Sequence, residues 1–166
     1  MQRLRQFIGD ESGATVVEFA LVAGVLFTIL FITIEFAIIW LQTAMLENAM
    51  VTASRYARTN YSYSGTDAPD YDACSNLPRN DTVICLVRRL GGGMMNPDEI
   101  SFNARVLGKN WGAADLSSTT SGTGTKGDIV IYEAQYMKPI LNPLIRPFFS
   151  GGVYVIKAST LTQNEQ

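Results

Sequence analysis

Residues 13–41 read Gly-Ala-Thr-Val-Val-Glu-Phe-Ala-Leu-Val-Ala-Gly-Val-Leu-Phe-Thr-Ile-Leu-Phe-Ile-Thr-Ile-Glu-Phe-Ala-Ile-Ile-Trp-Leu. Between Phe19 and Leu41 there is a single charge, Glu35, and no proline. At about 1.5 Å of rise per residue, a helix of that length covers a hydrocarbon core of roughly 30 Å. The stretch therefore predicts a membrane-spanning helix. Two other readings compete with it. A cleaved secretory signal would carry a shorter apolar core with small residues soon after it, and the nearest such pattern, Val51-Thr52-Ala53, lies well beyond the run. A core helix of a soluble protein would show a polar face, and this run has none.

The ends of the run matter as much as its middle. A short polar leader carrying Arg3 and Arg5 precedes Gly13, and Glu18 stands at the lip of the apolar segment. A carboxylate is costly to bury in hydrocarbon, so its position there calls for a partner or a purpose. Glu35 allows two readings: a contact with a partner helix, or a place at the outer interface beside Trp40, which suits the headgroup level. The second is the preferred expectation. Flanking positive charge is balanced, with Arg3 and Arg5 on one side and Arg55 and Arg58 on the other, and so gives no orientation.

This arrangement resembles the N-terminus of a type IV prepilin, and most closely the TadE-like pseudopilins of tight-adherence (Flp) pilus systems. The resemblance rests on the leader ending in Gly13, on the pair Glu18-Phe19, and on the stretch Ala53-Ser54-Arg55-Tyr56-Ala57. It also draws on the last forty or so residues, where a strand, a proline-punctuated turn and a closing strand end near Asn164-Glu165. It implies cleavage by a prepilin peptidase between Gly13 and Ala14, which makes Glu18 the fifth mature residue and Phe19 the sixth. Glu18 and Phe19 then become assembly residues, the leader is cytoplasmic, and the C-terminal part lies in the periplasm, anchored in the inner membrane. TadF-like chains share this plan, so the subtype stays open. The chain is longer than major Flp pilins and shorter than TadG-type proteins.

Composition narrows the function classes. From residue 42 onward there are eleven Lys+Arg and eleven Asp+Glu, so this part is neutral and lacks the basic excess of a nucleic-acid partner. The chain has no histidine, which removes imidazole acid–base catalysis and imidazole metal ligands. No phosphate-binding loop, dinucleotide fingerprint or CxxC pair is present. No cofactor, no metal and no catalytic residue is expected.

Beyond the membrane segment the helix is predicted to continue. Leu46, Ala49, Met50, Ala53, Tyr56 and Ala57 recur at helical spacing, with Glu47, Ser54, Arg55 and Arg58 assigned to the opposite face. One helix over 14–59 would be roughly 70 Å long. A loop rich in Tyr, Ser, Asp and Pro follows over 60–78, with Tyr61, Tyr63 and Tyr71. Asp81 is read as the N-cap of a short second helix with Val83, Leu86, Val87 and Leu90 on one face. Arg88 and Arg89 lie in its last turn and Gly91 ends it. Gly91-Gly92-Gly93 is read as a linker. Strands are expected around Ile100, Phe102, Ala104 and Val106, over 129–136 and over 153–161. A Ser/Thr/Gly-rich loop (117–127) joins the first two, and a segment with three prolines (137–149) joins the last two. Cys74 and Cys85 could close a disulfide in an exported domain, or stay as buried thiols. The export that the resemblance implies favours the bond, worth about 2–3 kcal/mol by loop closure.

The expected architecture is α+β and pilin-like. It comprises a leader (1–13), a transmembrane and assembly helix (14–41), its continuation (42–60) and a head (61–166) of one short helix and about three antiparallel strands. The expected function is a non-catalytic minor pseudopilin whose partners are other pilins, the assembly platform, the prepilin peptidase and the inner membrane. The alternative is a single-pass membrane-anchored adhesin or binding module. A tethered hydrolase is disfavoured by the missing histidine and nucleophile motif.

Overall fold

Helix α1 runs without a break over Glu11–Thr59. Its 49 residues correspond to about 74 Å. With no proline and a single glycine between Ala14 and Thr59, nothing in the sequence interrupts it. The computed structural model describes residues 11–59, 74, 77, 79–109 and 120–165. The rest of the leader, the tyrosine loop with Tyr61, Tyr63 and Tyr71, and the first part of the Ser/Thr/Gly-rich loop lie outside the described residues.

The two halves of α1 differ in what they touch. No residue from Gly13 to Ile34 is buried, and Phe19, Leu21, Phe27 and Phe31 are largely exposed. From Glu35 onward one stripe is covered: Glu35, Ile39, Gln42, Leu46, Ala49, Met50, Ala53 and Ala57 are all buried. The spacing of three and four residues keeps this stripe on one side of the helix. Ser54 belongs to its flank, a correction to its assignment to the outer face. It is buried, and its hydroxyl donates to the Val51 carbonyl at 2.8 Å.

Helix α2 (Arg79–Gly91) packs along this stripe. Val83, Leu86 and Val87 are buried in the shared core. The helix starts two residues before Asp81, which is therefore a first-turn acid complementing the dipole and not the N-cap. Cys74 and Cys85 form a disulfide with Cα atoms 5.8 Å apart, fastening the segment before α2 to the helix. The glycines after α2 are a tight corner and not a loose linker. A Cβ on Gly92 would stand 2.7 Å from the Arg88 carbonyl oxygen, and one on Gly93 2.9 Å from Met45 Cε of α1.

The sheet has four antiparallel strands in the order β2-β1-β3-β4. They are β1 (Ile100–Gly108), β2 (Thr120–Ser121), β3 (Ile129–Pro139) and β4 (Val153–Gln163). The three expected strands are present and longer than predicted, and β2 adds a two-residue edge. Strand β3 reaches Pro139 because that proline ends the strand, beyond the register with β1, where its missing N–H costs no ladder bond. Alternation places Val130, Tyr132, Ala134, Tyr136 and Lys138 of β3 on the covered face, with Ile156 and Ala158 of β4 beside them. This face closes on α1 and α2. The result is an α+β head on a helix apolar and long enough to cross a membrane.

Candidate functional site

Gly13, Ala14, Glu18 and Phe19 all lie in the first turns of α1, and all are exposed. The Gly13–Ala14 bond is inside the helix, and a Cβ on Gly13 would meet nothing within 4 Å. Nothing in the fold itself therefore requires glycine there. Phe19 is 72% exposed, and the apolar surface continues unbroken from it to Ile34. The hydroxyls within that surface are internally satisfied. Thr28 donates to the Gly24 carbonyl and Thr33 to the Ile29 carbonyl, each at 2.8 Å. Such back-bonding lets a threonine sit in a water-poor environment without an orphan donor.

At the other end of the bare segment stands Glu35. Its Oε1 lies 3.7 Å from Lys138 Nζ, with the two side chains 6% and 7% exposed. The same oxygen accepts from the Leu141 backbone N–H at 3.4 Å. Neither sequence reading of Glu35 contained this partner, which comes from its own chain. The pair arises where two periodicities meet. The buried stripe of α1 extends back one turn from Ile39 to Glu35, and the inward set of β3 extends two residues past Tyr136 to Lys138. Continuing each pattern through its charged end would have found both residues. Trp40, expected beside Glu35 at an interface, is 79% exposed on another side of the helix.

Two turns up from Glu35, Gln42 is also buried and donates through Nε2 to the Met94 carbonyl at 2.7 Å. This ties α1 to the corner after α2. At the far end of the head, Asp128 Oδ2 accepts from the Thr125 N–H at 2.6 Å and from its hydroxyl at 2.9 Å. The backbone bond from Thr125 holds the Asp128 carboxyl below the usual carboxylate range. Burial opposes this, and the Thr125 hydroxyl and Lys109 assist it. Asn164 closes the same corner through Nδ2 to the Thr123 and Thr125 carbonyls.

Helix α1 thus has an uncovered N-terminal half and a C-terminal half whose one stripe is covered by the head. Residues 13–55 match the family of TadE-like proteins. The matched segment contains the Gly13–Ala14 bond, Glu18 and Phe19, the whole bare apolar surface, and the buried stripe as far as Ala53. It does not reach α2, the sheet or the last forty residues, on which the sequence resemblance also drew. No curated protein and no solved structure matches the chain. The match falls on the part of this chain that is long and apolar enough to cross a membrane. Among the described residues, no group of three or more His, Cys, Asp or Glu side chains could hold a metal ion.

Proposed function

We propose that this chain is a minor pseudopilin of a tight-adherence pilus: a non-catalytic subunit held in the inner membrane by α1, with its head in the periplasm. The TadE-like match over the helix carries this reading. The geometry supports it with a helix surface that the head leaves uncovered from Gly13 to Ile34, apolar from Phe19 onward with Glu18 at its edge. At 1.5 Å per residue that surface is about 33 Å long, the thickness of a hydrocarbon core. The proposed span is accordingly 14–34, shorter at its outer end than the 14–41 expected from hydropathy, because the head already covers the helix at Glu35.

In this reading a prepilin peptidase cuts between Gly13 and Ala14. The new amine at Ala14 and the carboxylate of Glu18 from a neighbouring subunit then pair within a bundle of α1 helices. Such a pair specifies register more than it adds stability, since desolvation offsets much of its attraction. The head selects which pilins and platform proteins are accepted. Intact-mass measurement on protein from its native host tests the first step. The expected mass begins at Ala14, and a chain retaining residues 1–13 in the presence of an active peptidase overturns the proposal.

A further inference from the structure

We propose that the loop between β3 and β4, residues 140–152, is a foot that rests in the headgroup–acyl boundary of the bilayer. This rests on the reading that α1 spans the membrane over 14–34. The loop is fastened at the level where the bare helix meets the head. Ile140 is buried, the Leu141 N–H bonds to Glu35, and the Ile140 N–H bonds to the Gly152 carbonyl at 3.0 Å. Glu35 is the first buried residue of α1, so the loop stands beside the point where the chain leaves the proposed hydrocarbon core.

The loop's side chains fit a lipid boundary. Leu141, Leu144 and Phe148 are 71%, 59% and 85% exposed. Three large apolar side chains exposed on one loop present a surface that water disfavours. Its backbone is largely self-satisfied. The Leu144 N–H bonds to Asn142 Oδ1, Arg146 N–H to the Asn142 carbonyl, and Phe148 N–H to the Ile145 carbonyl. Pro143 and Pro147 carry no donor at all. A backbone that needs little water is what a partly immersed segment requires. Charge points the same way. Between Glu133 and Glu165 the chain carries no acidic residue; Lys138 is buried against Glu35, but Arg146 is exposed on the loop itself and Lys157 on β4. Cations beside apolar anchors suit an anionic lipid surface. The foot and the helix together would hold the head at a fixed tilt and height before assembly.

The test uses the full chain in vesicles of phosphatidylethanolamine and phosphatidylglycerol. Both native cysteines are bonded to each other, so single added cysteines take a nitroxide label. Leu144→Cys and Phe148→Cys probe the foot. Phe27→Cys reports on the helix, and Ser121→Cys on the opposite end of the sheet. Collisions with oxygen and with a water-soluble nickel chelate are compared. The expected result places 144 and 148 between the other two, with oxygen collisions raised and nickel collisions lowered several-fold relative to 121. Labels at 144 and 148 that meet nickel as freely as 121, while 27 is shielded from it, overturn the foot and leave the span intact. Labels shielded from both reagents overturn it in favour of a second protein on the patch. A label at 27 open to nickel overturns the span, and the foot with it.

Discussion

Glu35 on α1 and Lys138 on β3 face each other across 3.7 Å in the covered interface between helix and sheet, both shielded from solvent. Buried charges of this kind are retained at a cost. Each loses its hydration, and the attraction between them repays this only in part. The Leu141 N–H adds a second contact to Glu35, so the arrangement joins the helix, the end of β3 and the following loop at one point.

Removing one partner should hurt more than removing both. Lys138→Met leaves Glu35 buried without its counter-charge and should cost about 3–5 kcal/mol. Glu35→Gln combined with Lys138→Met should recover most of that loss, because no uncompensated charge remains. Denaturant unfolding in detergent, read at the two tryptophans Trp40 and Trp111, compares the variants. A double variant as weak as the single one would mean that shape at this point matters and charge does not.

Asp128 sets a pH dependence at the distal corner. Its folded pKa lies below the ordinary 3.8, chiefly through the Thr125 N–H bond. A depressed carboxylate contributes stability that is fully present above the unfolded pKa and is lost as pH falls through the folded one. The wild-type head should therefore lose stability below pH 3.8, and Asp128→Asn should flatten that part of the profile while leaving the neutral-pH slope unchanged. Melting curves collected from neutral pH down into the acid range show whether the two profiles converge. Parallel profiles would remove Asp128 as the source.

Gly92 is the position where any side chain is most costly in the corner after α2. Its added Cβ would meet a backbone oxygen, that of Arg88, at 2.7 Å, and Pro97 Cγ at 2.9 Å. Backbone cannot step aside as a flexible side chain can, so Gly92→Ala should cost about 1–3 kcal/mol. Gly93→Ala meets the end of Met45, which can rotate, and should cost less. Thermal melts of the two variants should differ in that order.

Much of this structure was legible because its elements are long and periodic. The unbroken helix, the stripe of Leu46, Met50, Ala53 and Ala57, and three strands with regular alternation follow from spacing. The misreadings share a physical cause. The polarity of Ser54 points outward while its position beside Ala53 points inward, and a hydroxyl bonded to the Val51 carbonyl can be buried. In a hydropathy run only the charge of Glu35 counts, whereas its place in the buried stripe that begins there turns it inward. Its partner lies 103 residues away on a different element, so a local pattern can turn each residue inward but cannot pair the two. The edge strand β2 has two residues, too few to produce alternation.

Glu18→Ala separates assembly from anchoring. The substitution removes a carboxylate from the edge of an apolar segment, so membrane insertion should be unchanged or slightly improved. The head should fold as before, since the first buried residue of α1 is Glu35, more than four turns away. Processing should persist, because the Gly13–Ala14 bond lies four residues upstream. What should fail is registration between helices. An Ala14 amine brought into an apolar bundle without its counter-charge costs about 3–5 kcal/mol, enough to prevent a subunit from joining. Fractionation, mass measurement and crosslinking to the other pilus proteins read these steps separately. The expected outcome is wild-type membrane level and mature mass with crosslinks or piliation lost. A variant that assembles like wild type would make Glu18 an interfacial residue with no part in register, and would favour a membrane-anchored adhesin over a pseudopilin.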